Sequence, residues 1–289
     1  MKIKDIVLKI EELSFQEGLE YILEKSLPAG RQDKKGDNKT FVVTINPEII
    51  MLARNDAEYE KVLISADLAL ADGVGVLWAG KMFGKSFKER VHGVDLVEGL
   101  AKEVAGLPAG RQEKPITVGF LGGKENVAQE AADCLKKKYP KLKVAFAIEE
   151  WDGAEVADKI SETARAEKVQ IEPGSKAANS RFENFASSPR LNHKSSIINH
   201  KSCDILFVAF GSPKQEKWIY NHIKEIDSKV FIGVGGAFDF ISGKVMRAPM
   251  FVRRLGLEWL FRLIIQPWRI KRQFALIKFV LQVLREKLK

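Results

Sequence analysis

An acidic residue stands at a glycine turn in Ala71-Asp72-Gly73-Val74-Gly75, directly after the short apolar run Leu68–Ala71. Gly73 and Gly75 let a backbone approach a ligand closely, so Asp72 can face a bound substrate; its other reading is a cap for the helix that follows. Thr44 and Asn46 close an earlier strand, and polar side chains at a strand's carboxyl end sit where open α/β sheets bind ligands. Arg90, two residues before His92 in the run 88–96, offers a guanidinium to a phosphate or carboxylate, or else a surface salt bridge. Three glycine turns complete the set. Gly119, Gly122 and Gly123 resemble half of a dinucleotide fingerprint. Gly211-Ser212-Pro213-Lys214-Gln215-Glu216 opens a helix with Ser212 as cap and Pro213 at its start, aiming backbone N–H groups at an anion. The stretch 233–239 brings three glycines, Gly235 among them, and Asp239 to another strand end. Converging on one sheet edge, these turns form the kind of pocket a nucleotide-sugar needs.

The elements that must carry these residues are strands alternating with helices. Apolar, β-branched runs recur at 41–45, 116–121, 142–148, 204–210 and 230–234, and helix-compatible segments follow at 56–66, 126–138 and 155–169. That alternation predicts an α/β fold, a mostly parallel sheet with helices on both faces. Asn46-Pro47 opens the helix after the first strand, with proline at a tolerated early position. Three stretches interrupt the pattern. Leu-Pro-Ala-Gly-Arg-Gln occurs at both 27–32 and 107–112, and the Ser-, Asn- and Lys-rich stretch 174–202 holds Asn-His-Lys-Ser twice; all three read as insertions, near 27–39, 107–114 and 174–202.

Composition narrows the class. The chain of 289 residues is 45% hydrophobic and 29% charged, enough for a full core. No uncharged apolar run reaches membrane-spanning length, and the charged N-terminus lacks a signal-peptide core, so a cytoplasmic location is expected. Cys134 and Cys203 have no metal-site or redox spacing, and His193 and His200 have no carboxylate or thiolate spaced to complete a site, so no metal is expected. The basicity is local: residues 247–289 hold eleven Lys and Arg against two Glu, a charge of +9 that equals the formal charge of the whole chain. Those arginines alternate with Trp259, Leu260, Phe261, Leu263, Ile264, Ile265 and Trp268, which suits an anionic membrane surface better than a nucleic-acid groove. A solvated helix with its apolar face on the core is the other reading. The boundary falls between a core at 1–246 and a basic amphipathic helical appendage at 247–289.

Together the motifs resemble the WecG/TagA/CpsF glycosyltransferases, in Thr-Ile-Asn at 44–46, Ala-Asp-Gly-Val-Gly-Val at 71–76, 89–96, 119–123, 208–216, 233–243, Arg-Ala-Pro at 247–249 and 256–263. The resemblance implies a Rossmann-like core and an inverting, metal-independent enzyme without a cofactor. It implies a UDP-sugar donor, N-acetylmannosamine or a related sugar, and an undecaprenyl-diphosphate-linked acceptor, with a uronic acid donor as the alternative. It places Asp72 as general base and gives Thr44 and Asn46 sugar-side contacts. Arg90, Gln215 and Asp239 take pocket positions beside Gly73, Gly122, Gly211 and Gly235, while Arg262, Arg269 and Arg272 meet the diphosphates. It further implies a peripheral protein on the inner face of the plasma membrane, with self-association away from the membrane as a further partner expectation and no nucleic acid. No Asp-x-Asp metal-diphosphate motif occurs, so helix N-termini and arginines are left to meet the leaving charge. Two competing classes fit less well. An NAD-dependent oxidoreductase needs a complete glycine fingerprint with an acidic ribose ligand about 20 residues on, which Glu130 and Asp133 do not supply. A non-catalytic membrane-surface module has no use for an acid at a glycine turn facing an anion pocket.

Overall fold

Strands buried on both faces read as nearly continuous apolar runs, and the runs found in the sequence are the strands of the sheet. The structure is a computed structural model and describes residues 2–27, 39–107, 114–149 and 202–288. Its strands are β1 (Thr40–Ile45), β2 (Leu68–Ala71), β3 (Thr117–Gly122), β4 (Lys143–Ile148), β5 (Cys203–Ala209) and β6 (Ser228–Gly233). They form one six-stranded sheet in the order β2-β1-β6-β5-β3-β4, and every described pairing is parallel.

The helices in chain order are α1 (Ile3–Lys9), α2 (Phe15–Ser26), α3 (Pro47–Asn55), α4 (Ala57–Ile64), α5 (Val74–Phe83), α6 (Gly93–Gly106), α7 (Val127–Lys138), α8 (Lys214–His222) and α9 (Ala237–Ile241). The two-residue period of the strands divides the core between the faces. Phe41, Val43, Ile45, Leu206, Val208 and Phe231 pack with α1, α3, α4, α5 and α8, while Val42, Leu70, Val118, Phe120, Phe207 and Ile232 pack with α2, α6, α7 and α9. Local chemistry fixes the helix starts. Asn46 Oδ1 accepts the Ile49 N–H at 3.0 Å, with Pro47 in the first turn of α3, and Asp56 Oδ1 accepts the Glu58 and Tyr59 N–H groups at 3.0 Å each. The edge strand β2 is covered: the Glu11 N–H donates to the Ala69 carbonyl at 2.9 Å and the Val91 N–H to the Ala71 carbonyl at 2.8 Å.

After α9 the chain runs through α10 (Met250–Arg254), α11 (Glu258–Ile265), a single 3-10 turn at Pro267–Arg269 and α12 (Ile270–Lys287). Its last helix belongs to the core. Phe279 and Val283 of α12 are fully buried against the α1, α3 and α5 layer, and the Glu286 carboxylate accepts the Ile3 and Lys4 N–H groups at 3.0 Å each, capping the first helix of the chain. The helix expected at 155–169, the histidines at 193 and 200, and nearly all of the three interruptions fall outside the described residues.

Candidate active site

The carboxyl ends of β1, β2 and β6 set out the site. Asp72 directly follows β2, its N–H donating to the Ile45 carbonyl at 2.8 Å, which ties the ends of β1 and β2 together. Gly73, at φ +88°, and not Asp72, is the cap of α5, so the capping alternative for Asp72 does not hold. Instead Asp72 meets His92. The Val91 bond to Ala71 runs the next segment alongside β2, and Asp72 Oδ1 lies 2.6 Å from His92 Nδ1. Gly93 seats His92 against β6: a Cβ there would stand 2.8 Å from the Val234 carbonyl oxygen, a space only glycine leaves.

The C-terminal segment closes over this pair. Gly256, at φ +76°, packs on Val74, and a Cβ at that position would come 2.5 Å from the valine Cγ1. Two residues later Glu258 Oε2 lies 3.4 Å from His92 Nε2, and Glu258 Oε1 lies 3.6 Å from Arg247 Nε. Arg247 in turn grips Asp95 with two parallel bonds, 2.7 and 2.6 Å, the bidentate geometry that suits a guanidinium. The result is a chain of alternating charge, Asp72, His92, Glu258, Arg247 and Asp95, that stitches the core to the C-terminal segment. Burial works against a charged imidazole, but the Asp72 and Glu258 carboxylates outweigh it and raise His92 above its ordinary range. Burial likewise opposes charge on Asp95, and the Arg247 guanidinium holds that carboxyl below the usual range.

The remaining expected residues divide into three groups. Arg262 of α11 joins the site: its guanidinium stacks 4.7 Å from the Phe240 ring, and a Cβ at Gly236 would lie 3.3 Å from its Nη2 and 3.2 Å from Asp239 Oδ2. Asp239 and Arg262 thus converge over the glycine turn after β6, beside Gly235. Thr44 is buried on β1 and Asn46 half-buried at its end, one strand over from Asp72. Arg90 points to the C-terminal segment, its guanidinium donating to the Arg253 carbonyl. The side chains of Arg269 and Arg272 lie outside the described residues.

The turn after β5 differs from expectation. Ser212 does not cap α8; Pro213 holds the cap position, and the Ser212 hydroxyl donates to Glu216 Oε1 at 2.8 Å. Nor are the Gly211 and Gly235 amides turned toward an anion. Both donate to Gln215 Oε1, at 3.2 and 2.9 Å, so a buried side chain takes these N–H groups and fixes the two turns to each other. Glu216, buried beneath, accepts from Tyr59 at 3.0 Å and Gln215 at 2.7 Å as well, and burial pushes its carboxyl above the usual range. Gly122, at φ +108°, has a packing reason: a Cβ there would come 2.8 Å from the Ala209 backbone.

The pairing of His92 with Asp72, the bridging role of Gln215, and the parts of Glu258, Arg247 and Asp95 were not foreseen. Their only signal was position, since each lies inside or beside a glycine-bearing motif. Among the described residues no group of three or more His, Cys, Asp or Glu is placed to hold a metal ion, and no helix is long and apolar enough to cross a membrane.

An all-parallel sheet with helices on both faces and glycine turns at its carboxyl edge defines a Rossmann-like α/β architecture. The sequence model of the WecG/TagA/CpsF glycosyl transferase family matches residues 4–172 and 173–289, so the chain belongs to that family and is a glycosyltransferase. Among its relatives is the N-acetylglucosaminyldiphosphoundecaprenol N-acetyl-beta-D-mannosaminyltransferase of Bacillus subtilis, 34% identical over 248 residues, which cover 85% of this chain and 79% of the relative. The Bacillus spizizenii enzyme of the same name is 33% identical over 247 residues with the same coverage, and that of Staphylococcus aureus is 27% identical over 252 residues, covering 87% and 82%.

Proposed function

We propose that this glycosyltransferase moves N-acetylmannosamine from a UDP-linked donor onto N-acetylglucosaminyl-diphosphoundecaprenol, with inversion at the transferred carbon and Asp72 as the general base. The reading is supported by the position of Asp72 after β2 and of Asp239 and Arg262 at the turn after β6, on the carboxyl edge of one sheet. That gives a proton acceptor and a cation on the same sheet edge. The acceptor hydroxyl oxygen attacks C1 of the donor sugar and its proton passes to Asp72. The bond from C1 to the diphosphate breaks, and its electron pair leaves with UDP, whose growing charge Arg262 stabilises together with Arg269 and Arg272. Thr44, Asn46 and Asp239 hold the sugar, and the transfer uses no metal ion.

A lipid-linked acceptor brings its reacting end to the membrane face, and the C-terminal segment suits that approach. Trp268 is 73% and Ile264 72% exposed, Phe251 and Leu281 are also open, and the surrounding sequence is arginine-rich. Such a surface rests on an anionic leaflet through apolar insertion and charge together. This makes the protein peripheral, on the inner face of the membrane that displays the acceptor.

The test is UDP release from a panel of UDP-sugars with and without a polyprenyl-diphosphate N-acetylglucosamine acceptor. Release with UDP-N-acetylmannosamine that depends on the acceptor is expected. Preference for a UDP-uronic acid would replace the donor assignment, and release independent of the acceptor would remove transfer altogether.

A further inference from the structure

We propose that the His92 side chain is a two-sided clamp, bonded to the Asp72 base from Nδ1 and facing the Glu258 carboxylate of the C-terminal segment as an ion pair from Nε2, so that the base is aligned only while that segment is seated. The proposal rests on Asp72 being the base. Its geometric ground is that the two ring nitrogens lie 2.6 and 3.4 Å from carboxylate oxygens belonging to opposite sides of the site, one at the end of a core strand and one in α11. A neutral imidazole has one N–H and one lone pair. Whichever nitrogen lost its proton would turn a lone pair toward a carboxylate, so the arrangement favours a ring protonated at both nitrogens, with Nε2 buried 3.4 Å from Glu258 and not hydrogen-bonded to it.

Every charged group packed around the ring fits that state. Asp72 follows β2 and Glu258 begins α11, Asp95 adds negative charge from α6, and Arg247 neutralises the outer side by gripping Asp95 and facing Glu258. Arg253 stands 4.0 Å from Asp95, and Arg90 holds the Arg253 carbonyl, so the cations sit one shell out from the ring. With Oδ1 of Asp72 fixed by His92, the carboxylate has a set orientation for receiving the acceptor proton. A misplacement of about 1 Å can cost about 10²-fold in rate. When His92 loses its proton, the repulsion it creates falls on Glu258 or on Asp72. Loosening Glu258 withdraws α11, which also carries Arg262. The sign follows: the folded protein favours the charged imidazole, so the clamp holds below the raised pKa of His92 and opens as pH rises through it.

As a positioning residue His92 is tested by the pH dependence of kcat with a soluble short-chain acceptor, for the wild-type protein and for Glu258→Gln, His92→Asn and Asp72→Asn. The wild-type profile should fall on an alkaline limb set by His92. Glu258→Gln, which keeps the size of the side chain but removes its charge, should move that limb to lower pH with little change in donor KM. His92→Asn, whose amide reaches Asp72 but not Glu258, should abolish the limb and lower kcat about 10²-fold. ¹⁵N NMR of the His92 ring in the folded wild-type protein covers the case of a variant that does not fold. Both nitrogens should be protonated near neutral pH, with a midpoint that Glu258→Gln lowers.

An alkaline limb and a ring titration unmoved by Glu258→Gln, with Asp72→Asn inactive, overturn the clamp and leave the base in place. A fully active Asp72→Asn overturns the base reading itself, whatever the histidine does.

Discussion

The sheet core and the C-terminal segment handle apolar surface in opposite ways. In the core, strand side chains from Phe41 to Ile232 are buried on alternate faces, and the polar groups beneath the site, Gln215 and Glu216, are buried and fully bonded. In the C-terminal segment no residue of α10 or α11 is buried, and Met250, Phe251, Leu255, Ile264 and Trp268 are open to solvent. Yet α12 returns Phe279 and Val283 to the core, and Gly256 and Glu258 dock against Val74 and His92. The segment is therefore fastened at both ends and open in the middle. Exposed apolar residues on a segment held this firmly are the surface that, on the proposed reading, meets the membrane.

Both core and segment are open to substitution. The largest effect belongs to the core: Asp72→Asn should lower kcat by about 10²–10⁴-fold, the usual worth of a general base, while the protein stays folded and binds UDP. A variant keeping more than about a third of the wild-type rate would remove Asp72 from the chemistry. Phe279→Ala comes next. It should cost about 3–5 kcal/mol in denaturant unfolding, the loss typical of a buried aromatic, because α12 packs as core despite lying in the basic segment. An unchanged midpoint would show α12 to be a detachable arm. For the same reason, truncation before Arg247 would report lost core packing as well as lost arginines, and single substitutions are the cleaner probe.

The open middle gives a smaller, graded effect. The intact protein should bind anionic vesicles and be partly released as salt approaches about 1 M, where screening shortens to about 3 Å. Complete release would assign binding to charge alone, and none to apolar insertion alone. The smallest effect checks the closed core. Burial pushes the Cys203 thiol up to about 12, whereas Cys134 is exposed, so a thiol reagent at about pH 8 should modify only Cys134 in the folded protein. Modification of Cys203 at a matching rate would mean the start of β5 opens readily.

The fold was legible because its signals are local and repeated. Parallel strands covered on both faces leave unbroken apolar runs, and Asn46-Pro47 announces the start of α3. Asp72 was legible for a related reason, since an acid between a strand and a glycine turn is an uncommon local pattern. What stayed hidden depends on pairings across the chain. Nothing near Gln215 says that its carbonyl will take the amides of Gly211 and Gly235, the second 20 residues away, and the expected anion donors were spent on that bond. His92 and Glu258 are separated by most of the chain, and their meeting depends on how α11 packs. The basic segment left open a helix with its apolar face on the core, and α12 is that helix; what the sequence did not say is that it would pack beside α3 and α5.

On the proposed mechanism, core and C-terminal segment build one active site, the first supplying the base and the second the charge that steadies the leaving diphosphate. Arg262→Ala separates these parts when assayed with a soluble short-chain acceptor in the absence of any membrane, with donor binding measured separately. A fall in kcat of about 10²-fold or more is expected, with the fold intact and donor affinity changed far less. Wild-type turnover by that variant would mean that the segment only anchors the protein and that the core transfers the sugar unaided.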